Sequence, residues 1–441
     1  PAEHLAPYAH HPANRTDGVP VHYATAYELG GMGVGVLAVS FDGRPIKVDG
    51  NPTHPLTQGR SDRFLQASVL QVWDPDRSRT VIQYKKGGGE RDLSTWDAFK
   101  MFAASAIKPD GAGLVVLAEA SRSPTIAAMR KKLSNAKWFE WEPISWDNQR
   151  AGAMQLFGRP LRAVPQLAKA AVIVSLDADL FFGDPLSIKF NHDFALGRML
   201  HNSADAAQAT MNRLYVAETG FTMTGSTADH RLRVKPSSIP ALVAALGAAL
   251  TGAPAPSKLS AEAQDFLKEL AADIQANKGK AVLVAGMTQP PEVHAAVAAI
   301  NASIDAPVDY YADREDPRPE HGWTPHAEQL VAFTKAAAGA SAILIVGANP
   351  VFAAPADLGL ETLLASKPSI HLGVYEDETA RACAWHLPQS HYLESWSDVR
   401  TFDGTVSVIQ PLIEPLFDSI STADLLALLS GASGTGMDLV K

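Results

Sequence analysis

Among 441 residues the sequence has a single cysteine, Cys383. One thiol excludes an internal disulfide, a multi-cysteine zinc site and an iron–sulfur cluster held by four thiolates of this chain. No apolar run reaches the roughly 18 to 20 residues that a membrane helix needs, and the Ala-rich stretch from Ile239 to Leu250 reads as a short core helix, so no direct membrane span is expected. A surplus of positive charge is also missing. The formal net charge is -9 with lysines and arginines scattered along the chain, which removes the electrostatic footprint of a nucleic-acid binder. His-Glu-x-x-His, Gly-x-Ser-x-Gly and P-loop lysine motifs do not occur, so zinc protease, serine hydrolase and P-loop NTPase chemistry have no support. Pro1 stands where an initiator methionine would, and a targeting peptide is expected to have been removed.

What the chain has is apolar mass. Hydrophobic residues make up 46% and charged residues 19%, a globular composition with length for two or three domains. From Val19 to about Leu93, short β-like runs are broken by turns: Val34 to Phe41 alternates, Asp42-Gly43 turns, Pro45 to Val48 continues, and Asp49-Gly50-Asn51-Pro52 turns again. After Trp96 the texture changes to buried apolar strands, each running into a loop rich in Gly, Ser, Asn or Asp. They are Leu114 to Ala118, Ala171 to Leu176, Ala281 to Ala285, Ala342 to Val346 and Ser369 to Tyr375. Continuous apolar strands alternating with helices imply an α/β fold with parallel sheet covered on both faces. Ser123 is placed to cap a helix that takes Pro124 in its first turn, with Ile126, Met129 and Leu133 on one face. Thr288 to Pro291 opens another, carrying Val293, Val297 and Ile300. Thr251 to Ser260 and Asp305 to His326 read as boundaries, and Ser430 to Gly436 as a linker. The expected organisation is an N-terminal arm and β-rich unit over 1–95, an α/β domain over 96–250, a linker and helix over 251–280, and a second α/β domain over 281–441.

Several motifs carry chemistry at first sight. Gly33-x-Gly35-x-x-Ala38 is formally a dinucleotide fingerprint, but it leads into an alternating strand instead of a helix N-terminus, which removes its physical basis. Asp177-Ala178-Asp179 follows a buried strand, as a metal-binding carboxylate pair does in nucleotide-sugar transferases, although strand ends also take Asp for turn capping. His4, His10, His11 and His22 cluster near the start with nothing to fix a tetrahedral geometry. Gly347-Ala348-Asn349-Pro350 has the character of a cofactor loop: glycine at a strand end lets a ligand approach the backbone, asparagine offers an amide and proline starts the next segment. Trp138, Trp141 and Trp146, with the proline-rich arm from Pro1 to Pro20, are expected to face neighbouring subunits.

These residues together resemble the molybdopterin oxidoreductase family, whose enzymes hold a molybdenum ion between two pterin-guanine dinucleotides. Gly43 to Pro55 looks like that family's N-terminal cluster-domain signature, and Trp73 to Arg77 and Ser94 to Ala98 look like the elements that follow. Gly347 to Pro350, Glu378-Thr379-Ala380, Leu387-Pro388 and Glu394 fall where the family has its dinucleotide loop and acidic turn. The stretches Tyr23 to Ala26, Ser175 to Asp179, Met211 to Tyr215, Thr224 to Leu232 and Thr401 to Ser407 narrow the resemblance to the molybdopterin-like half of the iron–sulfur subunit of alternative complex III, a quinol-oxidising respiratory complex. It covers nearly the whole chain.

The resemblance implies a non-catalytic scaffold with no cofactor in this chain. Iron–sulfur clusters are then expected on a ferredoxin-like half that is absent from it, with a multihaem cytochrome and integral membrane subunits as partners and a periplasmic location. Where active members ligate a cluster with cysteine, Gly59-Arg60-Ser61 offers serine. Ser121, Arg122, Asp177, Gly347, Asn349, Pro350, Glu378 and Thr379 are the candidates for a relic cofactor pocket, and Ser145 is the candidate metal ligand should the chain be an active enzyme. A nucleotide-sugar transferase using Asp177 and Asp179 is the remaining alternative.

Overall fold

The computed structural model describes residues 16, 18–85, 90–199, 210–254, 259–318 and 322–441. Most of the N-terminal arm, with His4, His10 and His11, lies outside the described residues. The first unit is an antiparallel meander of Val21–Glu28, Gly33–Phe41 and Arg44–Gly50. Asp42 and Gly43 both take positive φ, 47° and 83°, as a tight hairpin turn matched to strand twist requires. Gly35 is needed for packing: a Cβ there would lie 2.3 Å from the His54 ring. The β-rich reading of this region fails at Arg63–Val72, which is a helix capped by Asp62, whose carboxylate accepts from the Leu65 N–H at 2.9 Å. Leu65, Val69 and Val72 are its buried stripe, a helical spacing within a stretch whose surroundings are β-like.

Two parallel sheets form the body. The larger runs in the order Arg91–Leu93, Ile82–Tyr84, Trp385–Pro388, Ser369–Gly373, Ala342–Val346, Leu114–Ala118, Lys137–Glu140. Its last five strands are parallel and its first two form an antiparallel edge. The smaller sheet, His230–Arg233, Arg213–Glu218, Val172–Leu176, Ala281–Ala285, is parallel throughout. All five apolar runs read from the sequence are strands, within two residues of the expected ends. Neither sheet comes from one contiguous stretch, because Leu114–Ala118 pairs with Ala342–Val346 and Val172–Leu176 with Ala281–Ala285. At both pairings the chain order reverses, which opens a crevice at the strands' carboxyl ends.

Ser123 caps Pro124–Lys132 by accepting from the Ile126 N–H at 3.0 Å, and Val293, Val297 and Ile300 face inward from Pro291–Ser303. The expected boundary at 305–326 and the expected linker at 430–436 are both packed. Within 305–326, Val308–Ala312 pairs with Leu161–Pro165, and Glu315, Arg318 and His326 are buried. The charge that suggested a boundary is there to neutralise charge elsewhere in the interior. After Ser430 the chain turns back, with the Gly436 N–H on Asp424 Oδ1 at 2.7 Å and Leu439 against the core.

Candidate functional site

The first crevice, beyond Ala118 and Val346, is a cleft of about 340 Å³. Among the described residues Tyr27, Trp138, Tyr375 and Tyr392 line it, with Glu28, Glu119 and Asp377 and with no lysine or arginine. Its loop, 119–123, leads into the N-terminus of Pro124–Lys132, where free N–H groups make a ready anion site. Two carboxylates of the chain already hold it. Glu28, at the end of the first strand, accepts from Ser121 Oγ at 2.9 Å and from the Arg122 N–H. Asp398 accepts from Ser123 Oγ, from the Thr125 N–H at 3.1 Å and from Thr125 Oγ1 at 2.8 Å. Across the cleft, Gly347 at φ 71° presses so closely on Glu119 that a Cβ would lie 2.3 Å from its carboxylate oxygen. Asn349 donates to Glu378 at 2.8 Å and accepts from Thr379 Oγ1 at 2.8 Å, while Pro350 starts the short helix that follows.

The lining is short of compensating charge, and its acids respond accordingly. Glu119 is exposed to the cleft yet closely walled by protein; burial, then Glu142 and Glu28, push its carboxyl up to about 8. Burial raises Glu28 and Glu142 to about 7 and Asp377 to about 6, against the hydrogen bonds each accepts.

In the second crevice, beyond Leu176 and Ala285, Asp177 takes a left-handed φ of 58° and bridges the loops: Oδ1 accepts from the Thr219 N–H and Oδ2 from Gln289 Nε2, both at 3.0 Å. A Cβ on Gly286 would lie 1.9 Å from the Asp177 carbonyl oxygen, so the two strand ends are closed upon each other. Asp179 accepts from the Thr224 N–H and hydroxyl at 3.2 and 2.9 Å. Both aspartates are thus loop ties.

Beside the crevices lies a buried ion network. Glu140 accepts two hydrogen bonds from Arg122, at 2.7 and 3.0 Å, and sits 3.1 Å from His326 Nε2 and 3.6 Å from Arg318. Burial alone would raise its carboxyl; Arg122, His326 and Arg318 hold it well below the usual range. Asp147, just after Ser145 in the chain, is held by Arg318 at 3.0 Å, Arg150 at 3.5 Å and the His326 N–H. Asp313 neutralises Arg122 at 2.9 Å and also binds Arg150.

No protein-family model matches the chain. Among curated proteins it is 23% identical to the menaquinone reductase molybdopterin-binding-like subunit of Nitratidesulfovibrio vulgaris, an alignment covering 95% of this chain and 66% of the relative. The chain thus spans just under two thirds of that relative's length. Among solved structures it superposes on acetylene hydratase from Pelobacter acetylenicus with a TM-score of 0.65 and 13% identity, covering 92% of this chain and 69% of the other. The fold is molybdopterin-oxidoreductase-like.

In a molybdopterin-oxidoreductase-like fold the two crevices are where pterin dinucleotides are expected, and the residues here do not fit such a group. A pyrophosphate needs free N–H donors and cations. At the first crevice those N–H groups are taken by Glu28 and Asp398, and the lining is acidic. At the second, Asp177 and Gly286 close the strand ends. Among the described residues, no group of three or more His, Cys, Asp or Glu side chains is arranged to hold a metal ion.

The sequence candidates fall into two places. Ser121, Arg122, Gly347, Asn349, Glu378 and Thr379 gather about the first crevice, and Asp177 is in the second. Ser145 lies on the loop before Asp147–Phe157, half-buried. In the tryptophan segment Trp141 is buried in the core, Trp138 lines the cleft, Trp146 is half-buried and Ile144 is 71% exposed. Missed from sequence were Glu28, Glu119, Asp398, Arg318 and His326. Glu28, Asp398 and His326 meet partners far along the chain, and Arg318, paired locally with Asp316, also reaches Asp147, so no local signal marks their roles.

Proposed function

We propose that the chain is a non-catalytic member of the molybdopterin oxidoreductase family, a scaffold domain in the electron-transfer subunit of a quinone-linked membrane respiratory complex of the alternative complex III type. One observation carries this reading: Glu28 and Asp398 occupy the N–H groups that a dinucleotide pyrophosphate would need. The menaquinone reductase name of the relative supports the quinone link, and its description as a molybdopterin-binding-like subunit supports the family. The scaffold would position a ferredoxin-like unit bearing iron–sulfur clusters, a multihaem cytochrome and membrane subunits, on the periplasmic face, to which this chain adds no redox centre of its own. Purification of the native assembly from membranes tests it. The chain should co-purify with cluster-bearing and haem-bearing subunits, with all visible absorbance and paramagnetic signals in those partners. A freely soluble chain with its own dithionite-bleachable chromophore would overturn the reading.

A further inference from the structure

A second cavity, of about 290 Å³, lies between the first meander, strand Val308–Ala312 and the turn after Arg400. Three arginines from separate segments line it: Arg162, Arg314 and Arg400. Arg162 stands on Leu161–Pro165 directly across from Tyr311. It forms no salt bridge with a carboxylate among the described residues; burial pushes its guanidinium down to about 10, and the charge of Asp184 does not make up the difference. Arg400 uses Nε on Glu315 at 2.8 Å and Nη1 on the Gly404 carbonyl at 2.8 Å, which leaves Nη2. Arg314 is exposed on the rim.

Two acids share the lining, and both are engaged. Asp313 is bound by Arg122 and Arg150, and Asp403 accepts the Thr405 N–H at 2.9 Å on the exposed outer turn. Thr401 also lines the cavity and is 5% exposed, but its hydroxyl is closed off from the cavity space, so the polar groups offered to a ligand are the guanidinium groups. The edge-on ring pair Tyr311 and Phe402, 5.7 Å apart, gives the cavity an apolar wall.

We propose that this cavity binds a small oxyanion, a carboxylate or phosphate on a compact body, through the guanidinium groups of Arg162 and Arg400. Guanidinium forks suit both oxyanions, and an apolar wall beside them admits a short carbon body. The proposal is independent of the scaffold reading, since it concerns a separate cavity.

Titration calorimetry on the full chain tests it, with inorganic phosphate and with malonate as probes, at low salt and at about 150 mM salt. Saturable one-to-one binding of at least one probe that survives the higher salt is expected. Arg162→Gln should weaken it about tenfold or more, the loss of a charge-assisted contact. Should that variant not fold, Arg162→Lys and Arg314→Gln decide, each expected to weaken binding several-fold. Phosphate alone or malonate alone would name the oxyanion. Absence of saturation with either probe, or affinities unchanged in the variants, would overturn the proposal.

Discussion

Glu140→Gln removes the one charge shared by Arg122, Arg318 and His326, all of them within 4% of full side-chain burial. Taking one partner from a buried ion pair typically costs about 3–5 kcal/mol, because the cations left behind are desolvated and uncompensated. Here Asp313 at 2.9 Å and Asp316 at 3.8 Å still attend Arg122, which places the expected cost toward the lower end, about 3 kcal/mol. At about 2.1 cal/mol/K of unfolding entropy per residue, a 441-residue chain melting as one unit loses roughly 1 °C per kcal/mol, so a fall of about 3 °C follows. Equilibrium urea unfolding followed by tryptophan fluorescence, with calorimetry alongside, measures both. Glu90→Gln is the control: its pair with Lys85 is 70% and 61% exposed, and exposed pairs contribute about 0–1 kcal/mol. Equal losses in the two variants, or a loss below about 1 kcal/mol for Glu140→Gln, would refute the claim that this network is a buried structural unit.

Three further outcomes are expected. Gly35→Ala should destabilise the meander strongly, since its methyl would meet the His54 ring at 2.3 Å; a melting temperature unchanged from wild type would show that the ring moves aside freely. Cys383 is 2% exposed and burial pushes its thiol up to about 12, so a thiol reagent should label it only on unfolding, and rapid labelling of the native chain would contradict this. Burial raises Glu28 from 4.5 to about 7, so the folded state holds its proton where the unfolded state has released it. Its contribution to stability is complete below about 4.5 and is lost as pH rises through 7; Glu28→Gln, which does not titrate, should therefore gain on the wild type across that window, and parallel stability curves would contradict the assignment.

The sheets were legible because fully buried parallel strands announce themselves as continuous apolar runs, as Ala281–Ala285 and Ala342–Val346 do. How those runs pair was not, since adjacency of Leu114–Ala118 with Ala342–Val346 is decided by packing between segments more than two hundred residues apart. The helix Arg63–Val72 was hidden inside a β-like texture despite its Asp62 cap. Of the site, the loops were readable from their glycines and caps: Ser123, Gly347 and Asn349 sit where strand-to-helix turns need them. The groups that take up the N–H donors beside the crevice were not. Glu28 ends an ordinary strand and Asp398 stands in a late hairpin, and only the tertiary fold brings both to the start of Pro124–Lys132. The same holds for 305–326, where charge and proline suggested a boundary although Asp313 is the partner of buried Arg122 and Arg150.

The central proposal, that this chain keeps the molybdopterin-oxidoreductase-like fold while its own carboxylates take the N–H groups a cofactor would need, is tested most directly by elemental and pterin analysis. The chain would be purified from a cell competent in molybdenum-cofactor synthesis, in the presence of molybdate and tungstate. The account predicts no more than trace molybdenum, tungsten or pterin, with the chain folded and stable. Stoichiometric metal accompanied by pterin-guanine dinucleotide would contradict it.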